Sequence, residues 1–183
     1  GAAAVAAGGE VLLRGICPSD LKVPLEEFQK AGAAVEADEK NRQIRIRMGK
    51  RPLPLLIKTE PYPGFPTDLQ SPFMAFLATA QGTSYIEEQV FEGRFATAKI
   101  LEQMGAVIRT EDQRAVIEGH YPLKGAAVNA CDLRGGAALM VAALAAEGDT
   151  FIGECHHIER GYEDICRDMA ALGAHIRWVG KDS

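Results

Sequence analysis

The sequence predicts an α/β domain in which one supersecondary unit occurs three times, giving three four-stranded sheets with helices packed inside. Three stretches, at residues 9–32, 82–105 and 148–173, each run from a glycine through an apolar strand and a helix to a Gly-Ala pair. The two glycines that bound each stretch are 23, 23 and 25 residues apart. Self-similarity at a nearly fixed period indicates that one core is built from several copies of the same unit.

The first unit places a helix and several strands in a regular order. Alternation of apolar and polar residues predicts strands, and a longer run with apolar residues on one face predicts a helix. The unit therefore contains a helix at 21–30, a strand near Val35, a turn at 38–41, and strands at 43–47 and 55–58.

The second unit repeats this order with clearer end signals. Its predicted elements are a strand at 84–86, a helix at 95–104, hairpin strands at 106–110 and 115–118, and a strand at 126–130. Gly105 stands where helices commonly end in a left-handed residue. Helices of small apolar residues precede the second and third units, at 68–81 and 132–147.

The third unit contains an apolar stripe at helical spacing, which we expect to lie in the core. Its members are Ile158, Tyr162, Ile165, Met169 and Leu172. Residues 176–179 then supply only the first strand of the expected hairpin. Because residues 1–7 resemble the end of a preceding helix, we expect a fragment of a longer chain, incomplete at both termini. A single domain would contain the three repeats at about 1–59, 60–130 and 131–183.

The composition argues against a nucleic-acid-binding protein, a membrane-spanning protein and a disulfide-rich protein. The 183 residues suffice for one sizeable core, and the net charge of −5 argues against a nucleic-acid partner, whose phosphates require a basic surface. The longest apolar run, 137–146, is too short to cross a bilayer, so no membrane partner is expected. Four cysteines without framework spacing indicate idle thiols in a reducing cytoplasm.

The polar side chains of the repeats are unequal, which suggests a functional site on a symmetric scaffold. Equivalent positions pair Asp68 with Asp132, Gln70 with Arg134, and Arg94 with Arg160. Both Arg94 and Arg160 follow the first glycine of their unit by 12 residues, where the first unit has Leu21.

Two interpretations are open for the carboxylates. Residues 61–66 carry three prolines and a glycine that stiffen a loop, and Thr67 or Asp68 then opens a helix. Aspartate and threonine are preferred helix N-caps, which would make these side chains structural. A carboxylate after a rigid loop is also suited to proton abstraction, which requires fixed geometry. The same alternatives apply to Asp132, which follows a strand and begins a helix.

Three arginines lie near predicted helix starts, where a cation opposes the helix dipole by roughly 0.3–1 kcal/mol. They are Arg94, Arg134 and Arg160, and Arg160 is predicted to open its helix. An anionic ligand would reverse the unfavourable sign, because helix N-termini and guanidinium groups both bind phosphate and carboxylate. Neighbouring Glu92 and Glu159 could instead neutralise Arg94 and Arg160.

Other polar clusters point less clearly to chemistry. Residues 155–157 (Cys-His-His) resemble a metal trio, but adjacent side chains rarely converge on one ion, and we expect neither a metal nor a cofactor. The basic residues between 42 and 51 are typical of a solvated hairpin face. The Gly135-Gly136 pair permits close approach of another segment but is not by itself a phosphate loop.

Four motifs closely resemble those of the UDP-N-acetylglucosamine 1-carboxyvinyltransferase family of enolpyruvyl transferases. They are PGFPTDLQ at 63–70, VFEGRF at 90–95, DLR at 132–134 and HIERGYE at 157–163. The likeness runs through essentially the whole chain, in order, and covers only the C-terminal half of the family's length. The family moves the enolpyruvyl group of phosphoenolpyruvate to the 3′-hydroxyl of UDP-N-acetylglucosamine, the first committed step of peptidoglycan synthesis.

The resemblance implies an inside-out α/β barrel of three βαβαββ units. A full enzyme has two such domains, which close on the two substrates, and the N-terminal one would be missing here. The resemblance also implies that Asp68 accepts the proton of the sugar hydroxyl. Thr67 belongs to the same substrate-binding motif, and Val90 would contact the nucleotide sugar through its backbone.

The resemblance gives the remaining charged residues a shared ligand. Arg94 and Arg134 would hold the carboxylate end of phosphoenolpyruvate, and Arg160 would close on its phosphate. Asp132 belongs to the same constellation, without a role of its own being implied. A small, highly charged anion needs several fixed cations in a water-poor cleft, and this need accounts for the unequal charges of the repeats.

Two departures from the family bear on activity. Family members usually carry asparagine where Gly93 stands, so we expect a looser loop before Arg94. The family's reactive cysteine, and a lysine and an arginine that help to bind phosphoenolpyruvate, belong to the other domain, so none of the four cysteines here inherits that role. The fragment alone is therefore expected to bind poorly and not to turn over.

Three other assignments remain open. The related 5-enolpyruvylshikimate-3-phosphate synthase shares the architecture and the donor, but the Phe-Pro-Thr-Asp and Arg-Gly-Tyr motifs favour the sugar enzyme. RNA 3′-terminal phosphate cyclases use related repeats, but the acidic composition and the missing catalytic-histidine context disfavour them. A non-catalytic module that keeps the barrel is disfavoured because all five charged candidates are retained together: Asp68, Arg94, Asp132, Arg134 and Arg160.

Overall fold

The computed structural model describes residues 1–180 and confirms the predicted mixture of helices and strands. The first stretch contains helix α1 (Ala2–Ala6), strand β1 (Glu10–Arg14), a 3₁₀ turn (Pro18–Leu21), helix α2 (Lys22–Lys30), and strands β2 (Ala34–Asp38), β3 (Gln43–Arg47) and β4 (Leu56–Lys58). The predicted helix and strands of this unit are confirmed, with bounds that differ by a residue or so. Residues 181–183, at the end of the predicted third repeat, lie outside the described residues.

The second stretch also follows the prediction. It contains a 3₁₀ turn (Thr67–Leu69), helix α3 (Gln70–Leu77), strand β5 (Thr83–Glu87), helix α4 (Ala96–Gln103), and strands β6 (Val107–Glu111), β7 (Arg114–Glu118), β8 (Leu123–Lys124) and β9 (Ala127–Asn129). Gly105 follows α4 with a φ of 85°, the left-handed conformation expected of it. Helix α3 ends before the predicted residue 81, because residues 78–80 already form a turn.

The third stretch departs most from the prediction. It contains helix α5 (Leu133–Leu144), strands β10 (Ala146–Glu147) and β11 (Phe151–Gly153), and helices α6 (His156–Glu159) and α7 (Ile165–Ala171). The predicted core stripe is wrong in part: Ile158 and Ile165 are buried, but Tyr162 and Leu172 are 37% and 60% exposed. The reason is a break between α6 and α7, which ends the helical spacing on which the stripe was based.

Strand pairing has the same order in the first two units. The first sheet is β1-β3-β2 and the second is β4-β5-β7-β6, so that β1-β3-β2 and β5-β7-β6 correspond, with antiparallel pairs throughout. The strand that ends each unit then pairs in parallel with the first strand of the following unit, β4 with β5 and β9 with β11.

The prediction of three four-stranded sheets is wrong for two of them. Among residues 1–180, only the second sheet has four strands, while the first has three, and the third unit forms two short pairs with strands of the second unit, β10-β8 and β11-β9. Residues 176–179 form no strand within the described part of the chain. A strand requires a neighbour for its backbone hydrogen bonds, and no described strand pairs with this segment.

The core surrounds α3. Every residue of α3 is buried, and the helix contacts α5, α1, α4 and β5. Phe73 of α3 lies 4.7 Å from Phe28 of α2 and 4.9 Å from Phe65, measured between ring centroids, and it also contacts Phe76. These rings join α2, α3 and the loop that precedes α3. None of the helices formed by residues 1–180 combines the length and apolar character needed to cross a bilayer.

We expect Phe73→Ala to lower the free energy of unfolding by about 3–5 kcal/mol, because a buried ring is removed from the aromatic cluster. Phe151→Ala provides the matched control, since the Phe151 side chain is exposed. It should change the same quantity by less than about 0.5 kcal/mol. Urea unfolding followed by circular dichroism measures both, and equal losses would contradict the central position given to Phe73.

Candidate functional site

The loop between β4 and α3 is held in one conformation by its own contacts. Thr59 and Phe65 form an isolated parallel bridge, and the Glu60 amide donates to the Phe65 carbonyl at 2.9 Å. The Gly64 amide donates to the Pro61 carbonyl at 2.8 Å. Since the Phe65 ring is buried against α3, the loop delivers the following 3₁₀ turn at a fixed place.

Asp68, in that turn, is not a helix cap. Helix α3 has Leu69 at its N-cap position and no side-chain capping bond. The Asp68 side chain is 69% exposed, and its Oδ1 accepts from Arg134 Nε at 2.5 Å and lies 4.0 Å from Arg94 Nη1. The capping interpretation is therefore wrong for Asp68. The carboxylate is held in one place and open to solvent, which meets the geometric requirement for accepting a proton from a ligand.

Asp132 behaves in the opposite way, and there the capping interpretation is confirmed. It is the N-cap of α5, and its Oδ1 accepts from the Gly135 amide at 2.6 Å. The same place in two repeats thus carries a carboxylate that caps a helix in one case and a carboxylate that pairs with arginines in the other.

Arg94 carries an unsatisfied buried donor. Its side chain is 19% exposed and its guanidinium carbon lies 4.3 Å from the centroid of the Phe91 ring. Arg94 Nη1 is buried without a hydrogen-bond acceptor, and Glu92 forms no ion pair with Arg94 in the described part of the chain. Its ion-pair partner Asp68 Oδ1 lies 4.0 Å away, beyond hydrogen-bond distance, so Nη1 can still donate to an anionic ligand.

Gly93, directly before Arg94, has a φ of 69°, in the left-handed region. Glycine adopts this conformation freely, and asparagine is among the few other residues that visit it routinely. The backbone at this point therefore suits both the glycine of this chain and the asparagine that is usual in the resembling family. The looser loop expected from glycine stays a prediction.

Arg134 lies in the first turn of α5, as predicted, and donates to Asp68 across the site. The glycines that follow it allow α6 to approach. A Cβ on Gly136 would lie 2.4 Å from Ile158 Cγ1, and one on Gly161 would lie 2.7 Å from Leu133 Cδ1. The lack of a side chain at Gly136 and at Gly161 thus allows residues 158–161 to pack against the first turn of α5.

Arg160 lies on this approaching segment, but not at a helix start. It is the C-cap residue of α6, exposed, and α7 begins five residues later. The prediction that Arg160 opens a helix is therefore wrong, because the helical conformation is interrupted between α6 and α7. The unfavourable dipole argument does not apply to it. Arg160 forms no ion pair with any of residues 1–180.

Glu88 is the site residue that the sequence-based reasoning missed. It is only 1% exposed, and its carboxylate accepts from Thr59 Oγ1 and Thr67 Oγ1, both at 2.8 Å, and from the amides of Val90 and Phe91 at 3.0 and 3.1 Å. A signal was available: Ser84 and Ile86 face the core, and a period of two places Glu88 on the same face. A carboxylate at a core position requires partners.

These contacts also define what Thr67 and Val90 have available for a ligand. The Thr67 hydroxyl proton is donated to Glu88, and so is the amide proton of Val90. A backbone contact from Val90 to a ligand would therefore use its carbonyl oxygen.

The residues that could hold a metal differ from residues 155–157, which were not expected to bind one. Cys155 Sγ donates to the Ile152 carbonyl at 3.0 Å, whereas Glu154, His156 and His157 place one potential ligand atom each within 4.8 Å of one another. Two imidazoles and a carboxylate are ligands that Zn²⁺ accepts. Glu154 and His156 are exposed and already lie 3.3 Å from each other as a pair.

The chain is similar to one family of enzymes in sequence. The family model described as EPSP synthase (3-phosphoshikimate 1-carboxyvinyltransferase) matches residues 1–169. A UDP-N-acetylglucosamine 1-carboxyvinyltransferase from Desulfofundulus thermocisternus is 47% identical over 95% of this chain and 71% of that protein. UDP-N-acetylglucosamine 1-carboxyvinyltransferase 2 from Carboxydothermus hydrogenoformans is 47% identical over 96% of this chain, which spans 42% of that protein's length.

Solved structures agree with this similarity. The enolpyruvyl transferase NikO from Streptomyces tendae superposes with a TM-score of 0.85 at 28% identity, covering 96% of this chain and 42% of that one. EPSP synthase from Acinetobacter baumannii superposes with a TM-score of 0.71 over 98% of this chain and 42% of its own. At 21% identity the second likeness shows the fold alone.

We expect Asp132→Ala and Asp68→Ala to differ in their effect on stability. Asp132→Ala should lower the free energy of unfolding by about 1 kcal/mol, because the Gly135 amide loses its acceptor. Asp68→Ala should change it by less than about 0.5 kcal/mol, because an exposed ion pair contributes little. Equilibrium unfolding in urea checks this, and a larger loss for Asp68→Ala than for Asp132→Ala would contradict the assignment.

Proposed function

Because the chain belongs to the EPSP synthase (3-phosphoshikimate 1-carboxyvinyltransferase) family, we propose that it is one half of an enolpyruvyl transferase. The proposed reaction moves the enolpyruvyl group of phosphoenolpyruvate to the 3′-hydroxyl of UDP-N-acetylglucosamine, the first committed step of peptidoglycan synthesis. Relatives at 43–47% identity that carry the name of this enzyme support the choice of acceptor. The observation that carries the proposal is the exposed Asp68 carboxylate between Arg134 and Arg94, whose Nη1 lacks an acceptor.

Asp68 is the proposed proton acceptor. In the reaction a bond forms between the sugar oxygen and C2 of phosphoenolpyruvate, the bond from C2 to the phosphate oxygen breaks, and inorganic phosphate leaves. Asp68 takes the proton of the attacking hydroxyl. Arg134 holds the carboxylate in one orientation by donating to Oδ1, and the high exposure of the side chain leaves room for the hydroxyl to approach.

The arginines form the proposed site for phosphoenolpyruvate. Arg94 and Arg134 hold its carboxylate, and Arg160 binds its phosphate from the segment packed against α5. Arg94 Nη1 supports this, since it has only a 4.0 Å ion pair with Asp68 and no hydrogen-bond acceptor, and an incoming carboxylate oxygen would supply that acceptor. Fixed guanidinium groups also stabilise the charge that develops on the leaving phosphate. Asp132 contributes by capping α5 and so fixing Arg134 in its first turn.

The nucleotide sugar is proposed to bind along the Thr67 and Val90 segments. Both are held by Glu88, which leaves the Val90 carbonyl as the group that contacts the sugar nucleotide. Neither a metal nor another cofactor is part of the proposal.

The domain organisation is part of the proposal. The chain spans 41–42% of several curated relatives, which supports a second domain in the whole protein. Residues 1–183 would form a single enolpyruvyl transferase domain with repeats at about 1–59, 60–130 and 131–183, arranged as an inside-out α/β barrel. The reactive cysteine and two further cations would come from the N-terminal domain, so the chain alone is expected to be inactive. The enzyme would act in the cytoplasm, where both substrates are made.

A shikimate-3-phosphate acceptor is the second candidate, favoured by the description of the matching family model. Phosphate release from phosphoenolpyruvate separates the two. It is measured with UDP-N-acetylglucosamine and with shikimate-3-phosphate, for this chain and for the full-length protein. Release only from the full-length protein with the sugar nucleotide supports the proposal, whereas release with shikimate-3-phosphate alone favours the second candidate. No release with either acceptor would leave a family member without the family's chemistry.

We expect Asp68→Asn in the full-length protein to lower kcat by about 10²-fold to 10⁴-fold while the fold is retained, because the amide cannot accept the hydroxyl proton. Asp112→Asn is the matched control. Asp112 lies exposed in the β6–β7 turn at a φ of 49°, a conformation that asparagine tolerates, and its substitution should leave kcat unchanged. Near-normal turnover by Asp68→Asn would show that another group accepts the proton.

We expect Arg160→Ala to raise the KM for phosphoenolpyruvate by about tenfold or more, because a charged hydrogen bond to the phosphate is lost. The KM for UDP-N-acetylglucosamine should change less. Arg167→Ala serves as the control, since Arg167 is exposed on α7 and pairs with Asp168. If the two Michaelis constants rank in the opposite order, Arg160 does not bind the phosphate.

A further inference from the structure

We propose that Glu88 is a positioning residue whose buried carboxylate holds the segments carrying Asp68, Val90 and Arg94 in a single arrangement. The relevance of that arrangement to catalysis rests on the proposed function. The contacts themselves are independent of it.

The two carboxylate oxygens of Glu88 join three parts of the chain. Oε1 accepts from the Thr59 hydroxyl, where the proline-rich loop begins, and from the amides of Val90 and Phe91. Oε2 accepts from the Thr67 hydroxyl, where the same loop ends. Thr59 also accepts from the Gln89 amide at 2.9 Å. One carboxylate thus fixes both ends of the loop and the turn after β5.

Each contact leads to a group of the proposed site. Thr67 directly precedes Asp68, so the bond to Oε2 sets the position of the proton acceptor. The amide of Val90 is held directly. Phe91 is held through its amide, and its ring lies under the Arg94 guanidinium at 4.3 Å. Loss of the Glu88 carboxylate would therefore disturb three groups of the proposed site at the same time: Asp68, Val90 and Arg94.

The groups around Glu88 suit a carboxylate in particular. All four groups donate, and a carboxylate is the side-chain group that only accepts. Glutamine has the same shape but would turn an NH₂ group toward at least one donor. Glu88 forms no ion pair with any side chain among residues 1–180, so these four hydrogen bonds are what offset the cost of burying its charge.

Glu87 offers a matched control on the neighbouring position. It points away from the core, is half-buried, and pairs with Lys58 at 3.0 Å across the parallel β4–β5 pair. A general effect of losing an acid from the end of β5 would appear equally in Glu87→Ala and Glu88→Ala. An effect of the four hydrogen bonds would appear only in the second.

The first experiment measures the arrangement without using activity. Hydrogen–deuterium exchange of the full-length protein is followed in peptides that cover the Val90 and Phe91 amides. We expect Glu88→Ala to raise exchange there by about tenfold or more, with little change in β3. Ile44→Ala, in β3, is the control for general destabilisation, and Glu87→Ala is the local one. Unchanged exchange at Val90 and Phe91 in Glu88→Ala would overturn the proposal.

The second experiment measures the consequence for the reaction in the same full-length variants. We expect Glu88→Ala to lower kcat/KM for UDP-N-acetylglucosamine by about tenfold to a hundredfold, since a small displacement of reacting groups has effects of this size. Glu88→Gln should recover part of the loss, and Ile44→Ala and Glu87→Ala should retain normal kcat/KM. A loss in Ile44→Ala equal to that in Glu88→Ala would show a merely structural role.

If Glu88→Ala does not fold, Glu88→Gln and Thr67→Val carry both measurements. Thr67→Val removes only the bond to Oε2, so kcat should fall while the Val90 and Phe91 amides keep their protection. An unchanged kcat in Thr67→Val and a kcat/KM equal to that of the wild type in Glu88→Gln would together reject the proposal. If the full-length wild-type protein releases no phosphate, the proposed function is wrong. The exchange experiment still decides whether Glu88 holds the three segments in place.

Discussion

The complete burial of α3 is the constraint on which the rest of this structure depends. Its eight residues are all buried, including the polar Gln70 and Ser71, and its aromatic side chains reach both α2 and the proline-rich loop. A helix enclosed on all sides cannot shift without disturbing the neighbouring elements. Because Asp68 lies in the turn that leads directly into α3, the packing of the core also fixes one end of the candidate site.

The first two units could be predicted well from the sequence, because the strands of their hairpins pair within the same unit. Glycines such as Gly105 marked helix ends because the left-handed conformation strongly favours them. The third unit was predicted poorly. Residues 176–179 have the composition of a strand, but strand formation depends on a neighbour that local sequence does not reveal. The prediction that the apolar stripe lies in the core was wrong for part of the stripe, because the helix is interrupted after Arg160 and the apolar spacing does not show that interruption.

The site was predicted in part, and the errors have distinct causes. Capping and catalysis favour the same residue types, so Asp68 and Asp132 were indistinguishable until the contacts with Arg134 and Gly135 separated them. Glu88 was overlooked although the alternation along β5 places it inward. An acidic residue on the buried face of a strand indicates a specific role more strongly than an exposed acidic residue does. A buried charge is tolerated only where hydrogen bonds offset the cost of burying it.

The Nη1 of Arg94, buried without a hydrogen-bond acceptor among residues 1–180, has a consequence for the whole molecule. A protein that keeps a buried donor unsatisfied is less stable empty than occupied, so an anion that supplies the missing acceptor binds the folded state in preference to the unfolded one. Anion binding and folding are then thermodynamically linked. A higher concentration of such an anion would raise the free energy of unfolding.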